Sequence, residues 1–406
     1  MENKKIYDIT IVGGGIVGAA TAYKLQLKYP GLTILLIEKE PHLAYHQTGN
    51  NSGVIHSGLY YTPGSAKAKT CVDGRKQLVE FARSYNIKHD ICGKVVAAVD
   101  ESELPFMDRI FQNGLENNTE GIEKIDADQL KQIEPYVESI GGIWVPSTGI
   151  IDFKAVTEKL AELVVAKQKE SRVVTGEEVL ANEHGDNTTR ITTTKNTYLT
   201  KNMIFCGGLQ ADRLAKKDGV KLKEKVVGFR GDYYDLTDRA KYKVNNLIYP
   251  VPNPAFPFLG VHFTRMVNGD VECGPNAVFT FAREGYGKTD FNLKDSLDAL
   301  SYIGTWKLLF NNAGFAMNEY RRAFSKKLFL KTLRRLIPSL TIEDIKPGRA
   351  GVRAMLLSED GDTKDDFRIE YLGKSIHVLN APSPAATACL AIADEICSMA
   401  KTHFNL

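Results

Sequence analysis

Gly13, Gly15 and Gly18 stand at GxGxxG spacing, with the acid Glu38 and then Lys39 further along. Each glycine in such a set has its own task. The first permits a tight turn, the second lets backbone approach a pyrophosphate, and the third lets a helix pack closely on a strand. Ile16 and Val17 fall inside the set, at the start of the following helix. The N–H groups and partial positive charge at that helix end suit phosphates. Glu38 can accept hydrogen bonds from both ribose hydroxyls of an adenosine, and its charge repels a 2′-phosphate, which disfavours NADP. The chemistry indicated is dinucleotide binding. The glycines themselves do not separate FAD from NAD.

Three further segments point to FAD. After Glu38 a simple NAD domain would usually continue into another strand–helix unit. Here the chain turns polar and Gly-punctuated, and Thr48, Asn50, Asn51, Ser52 and Gly53 can serve phosphates and the ribityl chain of a flavin. Downstream, Thr200–Phe205 reads as a strand leading into Cys206, Gly207 and Gly208, where backbone can meet a cofactor a second time. Val179 is grouped with these contacts. Last, His377–Asn380 leads through Pro382, Ser383 and Ala385 toward an Ala-rich helix. Ser383 is expected as its N-cap and Pro384 as its first residue, so that the helix end faces a reduced flavin.

These residues need a strand, a turn, a helix and a second strand to position them. Tyr7–Val12 is a β-branched apolar run, Ala19–Leu25 continues as helix, and Leu32–Ile37 is a second buried run. The fold class expected is α/β: a Rossmann-like FAD-binding domain, discontinuous in sequence, with a second α+β substrate domain on a mixed, largely antiparallel sheet. The cofactor domain is assigned residues 1–74, 166–219 and 341–406, and the substrate domain residues 75–165 and 220–340.

At 406 residues the chain is long for a single core. Its net charge of +3 is too mild to indicate nucleic acid. The six cysteines form no CxxC and no zinc spacing, so free thiols in a reducing cytoplasm are expected and no metal is. The chain begins without a secretory core, and no apolar run of about 18 residues is present to span a membrane.

The segment from His46 to Gly58, with Tyr60-Tyr61, resembles the signature of the L-2-hydroxyglutarate oxidase/dehydrogenase family, within the D-amino-acid-oxidase-like FAD proteins. The resemblance continues in order through Thr148–Asp152, Phe229–Tyr234, Ile248–Pro252, Phe256–Thr264, Gly274–Ala277, Arg283–Tyr286, Ala350–Ala354 and Leu379–Thr387. It covers nearly the whole chain. Short pieces such as His-Ser-Gly are weak; the ordered set is specific. It implies FAD, bound covalently or not, with His46 one candidate for a covalent link. It also implies oxidation of L-2-hydroxyglutarate to 2-oxoglutarate, with electrons passed to quinone or O2.

A substrate of that kind is a dianion, and its site needs cationic and hydroxyl donors. Arg230 and Arg353 are the leading candidates for its carboxylates, and Arg353 is equally a candidate for touching the flavin. Tyr60, Tyr61 and Tyr249 come second, and Asn276 can donate a hydrogen bond. Hydride loss from C2 also requires that the hydroxyl proton leave, which suits a base that titrates near neutrality. His56 and His262 are the candidates, and His56 follows the flavin-side loop directly.

From Arg321 to Arg335 the chain is basic, with Phe329, Leu333, Leu336 and Ile337 at helical spacing. The alternatives are a solvated helix face or a helix lying on an anionic membrane, the latter suiting electron delivery to quinone. The location expected is cytoplasmic, with peripheral contact at the inner face of the cell membrane. Rival readings are a related FAD enzyme for another 2-hydroxy acid, glycerol phosphate or an amino acid; a non-catalytic FAD-binding protein; and an NAD-dependent dehydrogenase.

Overall fold

The first strand, Ile6–Val12, is apolar on both faces because both faces are covered. It pairs in parallel with Ile34–Ile37 on one side and Thr197–Phe205 on the other. Over one face lies the helix Ile16–Lys28, whose Ala19, Ala20 and Ala22 are fully buried. Their small side chains share a core with Val156, Leu160 and Val164 of helix Phe153–Lys167, and with Ile392 and Ile396 of helix Cys389–Phe404. The structure is a computed structural model and describes residues 5–252, 260–364 and 366–406. The motif residues Phe256, Pro257, Phe258 and Leu259 lie outside the described residues.

Among the described residues the strands form an eight-stranded sheet, a nine-stranded sheet and a small three-stranded one. The eight-stranded sheet adds Arg172–Val174, Val179–His184, Thr189–Thr193, Arg368–Leu372 and Ser375–Asn380 to the first three strands. The nine-stranded sheet is mixed. Its parallel pair is Lys94–Ala98 with Leu247–Pro250, and its longest pair is antiparallel, Lys225–Leu236 with Ile345–Leu357. The architecture is the expected one, a discontinuous Rossmann-like sheet beside a largely antiparallel second sheet.

Several elements differ from expectation. Helix Phe153–Lys167 and the end of helix Ala66–Ser84 fall in the stretch 75–165 assigned to the substrate domain, yet both pack in the core of the first sheet. Ile345–Leu357 was grouped with the cofactor segments, yet it lies in the second sheet, where Phe229 faces Arg353 and Gly231 faces Gly351. The basic stretch from 321 to 335 is not one helix. Ser325 ends helix Ala313–Phe324 and caps a second, Lys326–Leu333, by accepting from the Leu328 N–H. Phe329, Leu333, Leu336 and Ile337 are core residues of the second sheet's cluster, so that apolar face is already covered.

Candidate active site

The glycine turn is built as its spacing requires. Gly13 has φ +116°, a conformation open to glycine, and a Cβ on Gly18 would lie 2.0 Å from the Gly13 carbonyl oxygen. A Cβ on Gly15 would come no closer than 3.4 Å to any neighbour, so this glycine keeps space clear rather than relieving a clash. The helix after it has no side-chain cap, although the Ile16 N–H donates to Thr48 Oγ1 at 3.0 Å. Glu38 is tied at the end of its strand by the N–H of Gly14 (2.6 Å) and of Glu40 (2.9 Å).

These groups border a cleft of about 1300 Å³ that runs from the glycine turn to the second sheet. Gly13, Gly15, Ile16, Val17, Glu38, Lys39, Thr48, Asn50, Asn51, Ser52, Val179, Cys206, Gly207, Gly208, Pro382, Ser383, Ala385 and Arg353 all line it. Gly18 sits beneath the turn, and Gly53 shapes the loop at φ +67° without lining the cleft. An open glycine cradle, an uncapped helix start and an anchored acid in one long cleft fit FAD.

The turn from Pro382 to Ala388 departs from expectation. Ser383 is not a cap: the helix begins at Cys389, after a turn closed by Ala385 N–H to Pro382 (2.9 Å) and Ala388 N–H to Pro384 (3.0 Å). Thr387 explains the placement. Its fully buried hydroxyl donates to the Val54 carbonyl and accepts from the His56 N–H, each at 3.1 Å, so the turn is stitched to the segment carrying His56.

At the inner end the cleft meets His56, Tyr60, Tyr61, Lys67, Tyr233, Tyr249 and His262. His262 rises from strand His262–Arg265 and stacks on Tyr249, with ring centroids 4.0 Å apart and planes at 19°. Its Nδ1 lies 2.9 Å from the Gly260 carbonyl oxygen and so is the donor, which leaves Nε2 as an acceptor. Burial drives its pKa down to about 4, helped by Arg353 and Lys94. His56 is driven down to about 3 by burial and then by Lys94, His262, Arg353 and Lys67. Both imidazoles are neutral at physiological pH and able to accept a proton. Burial raises the pKa values of the Tyr60, Tyr233 and Tyr249 hydroxyls, so all three remain donors.

Two expected site residues face elsewhere. Arg230 is buried but points to Asp232, with Nε to Oδ1 at 2.9 Å, and to the Gly287 carbonyl. Neighbours two apart on a strand share a face, so the Arg230–Asp232 pair was readable from spacing. Asn276 closes the same group, accepting from the Asp232 N–H at 2.6 Å and donating to its carboxylate at 3.1 Å. Neither lines the cleft.

Others were missed. Arg349 bonds the carbonyls of Gly49 and Asn51 and pairs with Glu272, tying the second sheet to the loop that contains them. Lys94 is 1% exposed and lies behind Tyr60 and Tyr249. A lone lysine heading an apolar strand gives no signal of such burial. The His46 ring is engaged at both nitrogens, by Tyr286 and by Glu40, each at 2.9 Å. Among the described residues Glu40, His46 and Glu284 form a carboxylate–imidazole group, but the Lys39 ammonium bridges both acids at 2.7 Å and fills the cation's place. All six thiols are free.

A family model described as FAD dependent oxidoreductase matches residues 8–399. The chain belongs to this FAD-dependent oxidoreductase family. Among curated relatives of this flavoenzyme, the L-2-hydroxyglutarate dehydrogenase of Indibacter alkaliphilus is 44% identical over 98% of the chain and 100% of the relative. The L-2-hydroxyglutarate dehydrogenase of Escherichia coli is 41% identical, over 98% of the chain and 94% of the relative. The mitochondrial enzyme of that name from Nematostella vectensis is 42% identical over 100% and 93%. Among solved structures, an FAD-bound L-alpha-glycerophosphate oxidase from Mycoplasma pneumoniae superposes with TM-score 0.78 at 24% identity, covering 98% of this flavoenzyme and 95% of that chain. A glycine oxidase from Geobacillus kaustophilus gives 0.71 at 16% identity, covering 98% and 95%. These two share the flavoenzyme's fold.

Proposed function

We propose that the protein oxidises L-2-hydroxyglutarate to 2-oxoglutarate and passes the electrons to a quinone or to O2. The observation that carries this reading is the inner end of the cleft, where neutral His56 and His262 stand among Lys67, Lys94 and Arg353. A base in a positive pocket suits an anion that must lose a hydroxyl proton. The full-length relatives bearing this activity in their names support the same substrate.

When bound, FAD supplies the two-electron acceptor for the hydride leaving the substrate C2. Gly13, Gly15, Glu38 and Thr48 would hold its adenosine and phosphate end, and Cys206–Gly208 with Pro382–Ala385 the far side of the cleft. Arg353 and Lys67 hold the substrate carboxylate by charge-assisted hydrogen bonds. His56 takes the hydroxyl proton, and His262, fixed by Gly260 and Tyr249, orients the hydroxyl. Tyr60 and Tyr249 wall the pocket and keep water out.

Delivery to quinone accords with peripheral contact at the inner face of the cell membrane. No described helix is long and apolar enough to cross one. The helices from 303 to 324 expose Trp306, Phe310, Met317 and Phe324 beside the exposed Arg321 and Lys327. This surface, rather than the covered face of Lys326–Leu333, suits an anionic bilayer. Co-sedimentation with anionic vesicles at low salt tests the contact, and absence of binding removes it.

The activity itself is tested by anaerobic bleaching of the flavin with L-2-hydroxyglutarate, other 2-hydroxy acids, glycerol phosphate and amino acids. Re-oxidation by O2 against a soluble quinone then identifies the acceptor. Bleaching by another substrate but not by L-2-hydroxyglutarate overturns the reading.

A further inference from the structure

Lys94 is a costly residue in its position. It begins strand Lys94–Ala98, paired with Val145 and Leu247, both core residues. Its ammonium lies 4.4 Å from the centroid of the Tyr60 ring and 5.0 Å from that of Tyr249. Among the described residues no carboxylate pairs with it, and the one group that favours its charge is the Cys71 thiol. Burial brings its pKa down to about 7. Two aromatic faces offset only part of the penalty for burying a cation. The same wall holds a second unmet need: the Tyr60 hydroxyl is buried, borders the cleft and has no hydrogen-bond partner among the described residues.

An anion at the inner end of the cleft would answer both needs. We propose that Lys94 is a specificity-determining residue whose unpaired ammonium, held behind Tyr60 and Tyr249, selects a dianionic substrate over a monoanionic one. This rests on the dicarboxylate reading given under Proposed function. Lys94 acts through its neighbours. A cation over the Tyr60 ring draws electron density from it and strengthens the hydroxyl as a donor to the second carboxylate. The ammonium charge, poorly screened in a dry wall, balances that carboxylate across the ring. The carboxylate beside the reacting carbon is the one given to Arg353 and Lys67 under Proposed function.

Glutarate and butyrate test this. They differ by one carboxylate, and neither carries a hydroxyl to oxidise, so binding is read without turnover. Each is titrated into the FAD-bound protein and followed by flavin absorbance and calorimetry. In the wild type glutarate binds the tighter; if it does not, the dicarboxylate reading fails before Lys94 is in question. In Lys94→Met and Lys94→Gln the preference for glutarate falls about ten-fold, the scale of one lost charged contact, while butyrate affinity is nearly unchanged. Lys94→Met without ligand melts at or above the wild-type temperature, because an unpaired buried charge has gone. A fall in preference of less than about three-fold, where that of a lost charged contact is expected, overturns the proposal, and a larger one supports it. Loss of folding in both variants also overturns it, since an ammonium needed for folding is not one held for a ligand.

Discussion

A base that is to take a hydroxyl proton must be neutral before the substrate arrives and basic once it is bound. His56 meets the first condition because burial and four nearby cationic or imidazole groups hold its pKa at about 3. The second follows from the substrate: an anion beside Lys67, Lys94 and Arg353 cancels the charges that depress the ring, and its basicity rises. His56→Gln is expected to slow flavin bleaching about 10²- to 10⁴-fold, with FAD content and glutarate affinity close to wild type. Stopped-flow bleaching measures this, and an equal loss confined to His262→Gln would exchange the two roles. The depressed histidines also link stability to pH. With a folded pKa of about 4 for His262 against 6.5 as its reference value, the unfolded chain binds the proton first as pH falls. Stability is therefore complete above about 6.5 and declines toward about 4, and His262→Gln flattens that decline in a melting series across the window. The place of His56 at the cleft was legible because it follows a recognisable loop. Lys94 was not, since its meaning comes from Tyr249, which is distant in sequence.

The glycines separate folding from cofactor binding within one turn. In Gly18→Ala the new Cβ meets the Gly13 carbonyl, so the helix must move off its strand and the protein is expected to lose solubility as well as flavin. In Gly15→Ala the Cβ has room in the protein and would compete only with the pyrophosphate that this turn is proposed to hold. The apoprotein should melt near the wild-type temperature while FAD affinity falls by about ten-fold or more, read by flavin fluorescence. A Gly15→Ala protein that binds FAD normally would place the phosphates elsewhere. The strand–turn–helix was readable because period and spacing are local properties. The turn from Pro382 to Ala388 was not. Pro and Ser there imitate a helix start, and the deciding contact is Thr387 reaching Val54 and His56 across the chain. Ile345–Leu357 was misplaced for the same reason, since its partner strand begins at Lys225.

At the scale of the molecule, the cofactor sheet is assembled from separated stretches of chain, and the cleft lies between that sheet and the second one. The strands of the first sheet come from stretches that each carry a local apolar run, which sequence can show; how the sheets are joined depends on distant contacts, which it cannot. Arg349 is one join, with carbonyls of the loop from Gly49 to Asn51 on one side and Glu272 of the second sheet on the other; the buried Arg283–Asp212 pair is another. The cleft follows the same seam and is lined from both halves, so FAD held there would act as a further fastening. A ligand that binds only the folded state at about 100 times its Kd adds about 2.7 kcal/mol of stability. The apoprotein should therefore melt several degrees below the holoprotein, with a melting temperature that climbs with added FAD. Arg349→Met loosens the seam before the cofactor arrives. Its apoprotein should melt lower still, and part of the gain from FAD should be spent on re-ordering the loop from Gly49 to Asn51, so the shift per decade of FAD begins at higher concentration. If Arg349→Met leaves both melting curves unchanged, the two sheets are held together by their other contacts, and the loop from Gly49 to Asn51 needs no ordering by Arg349.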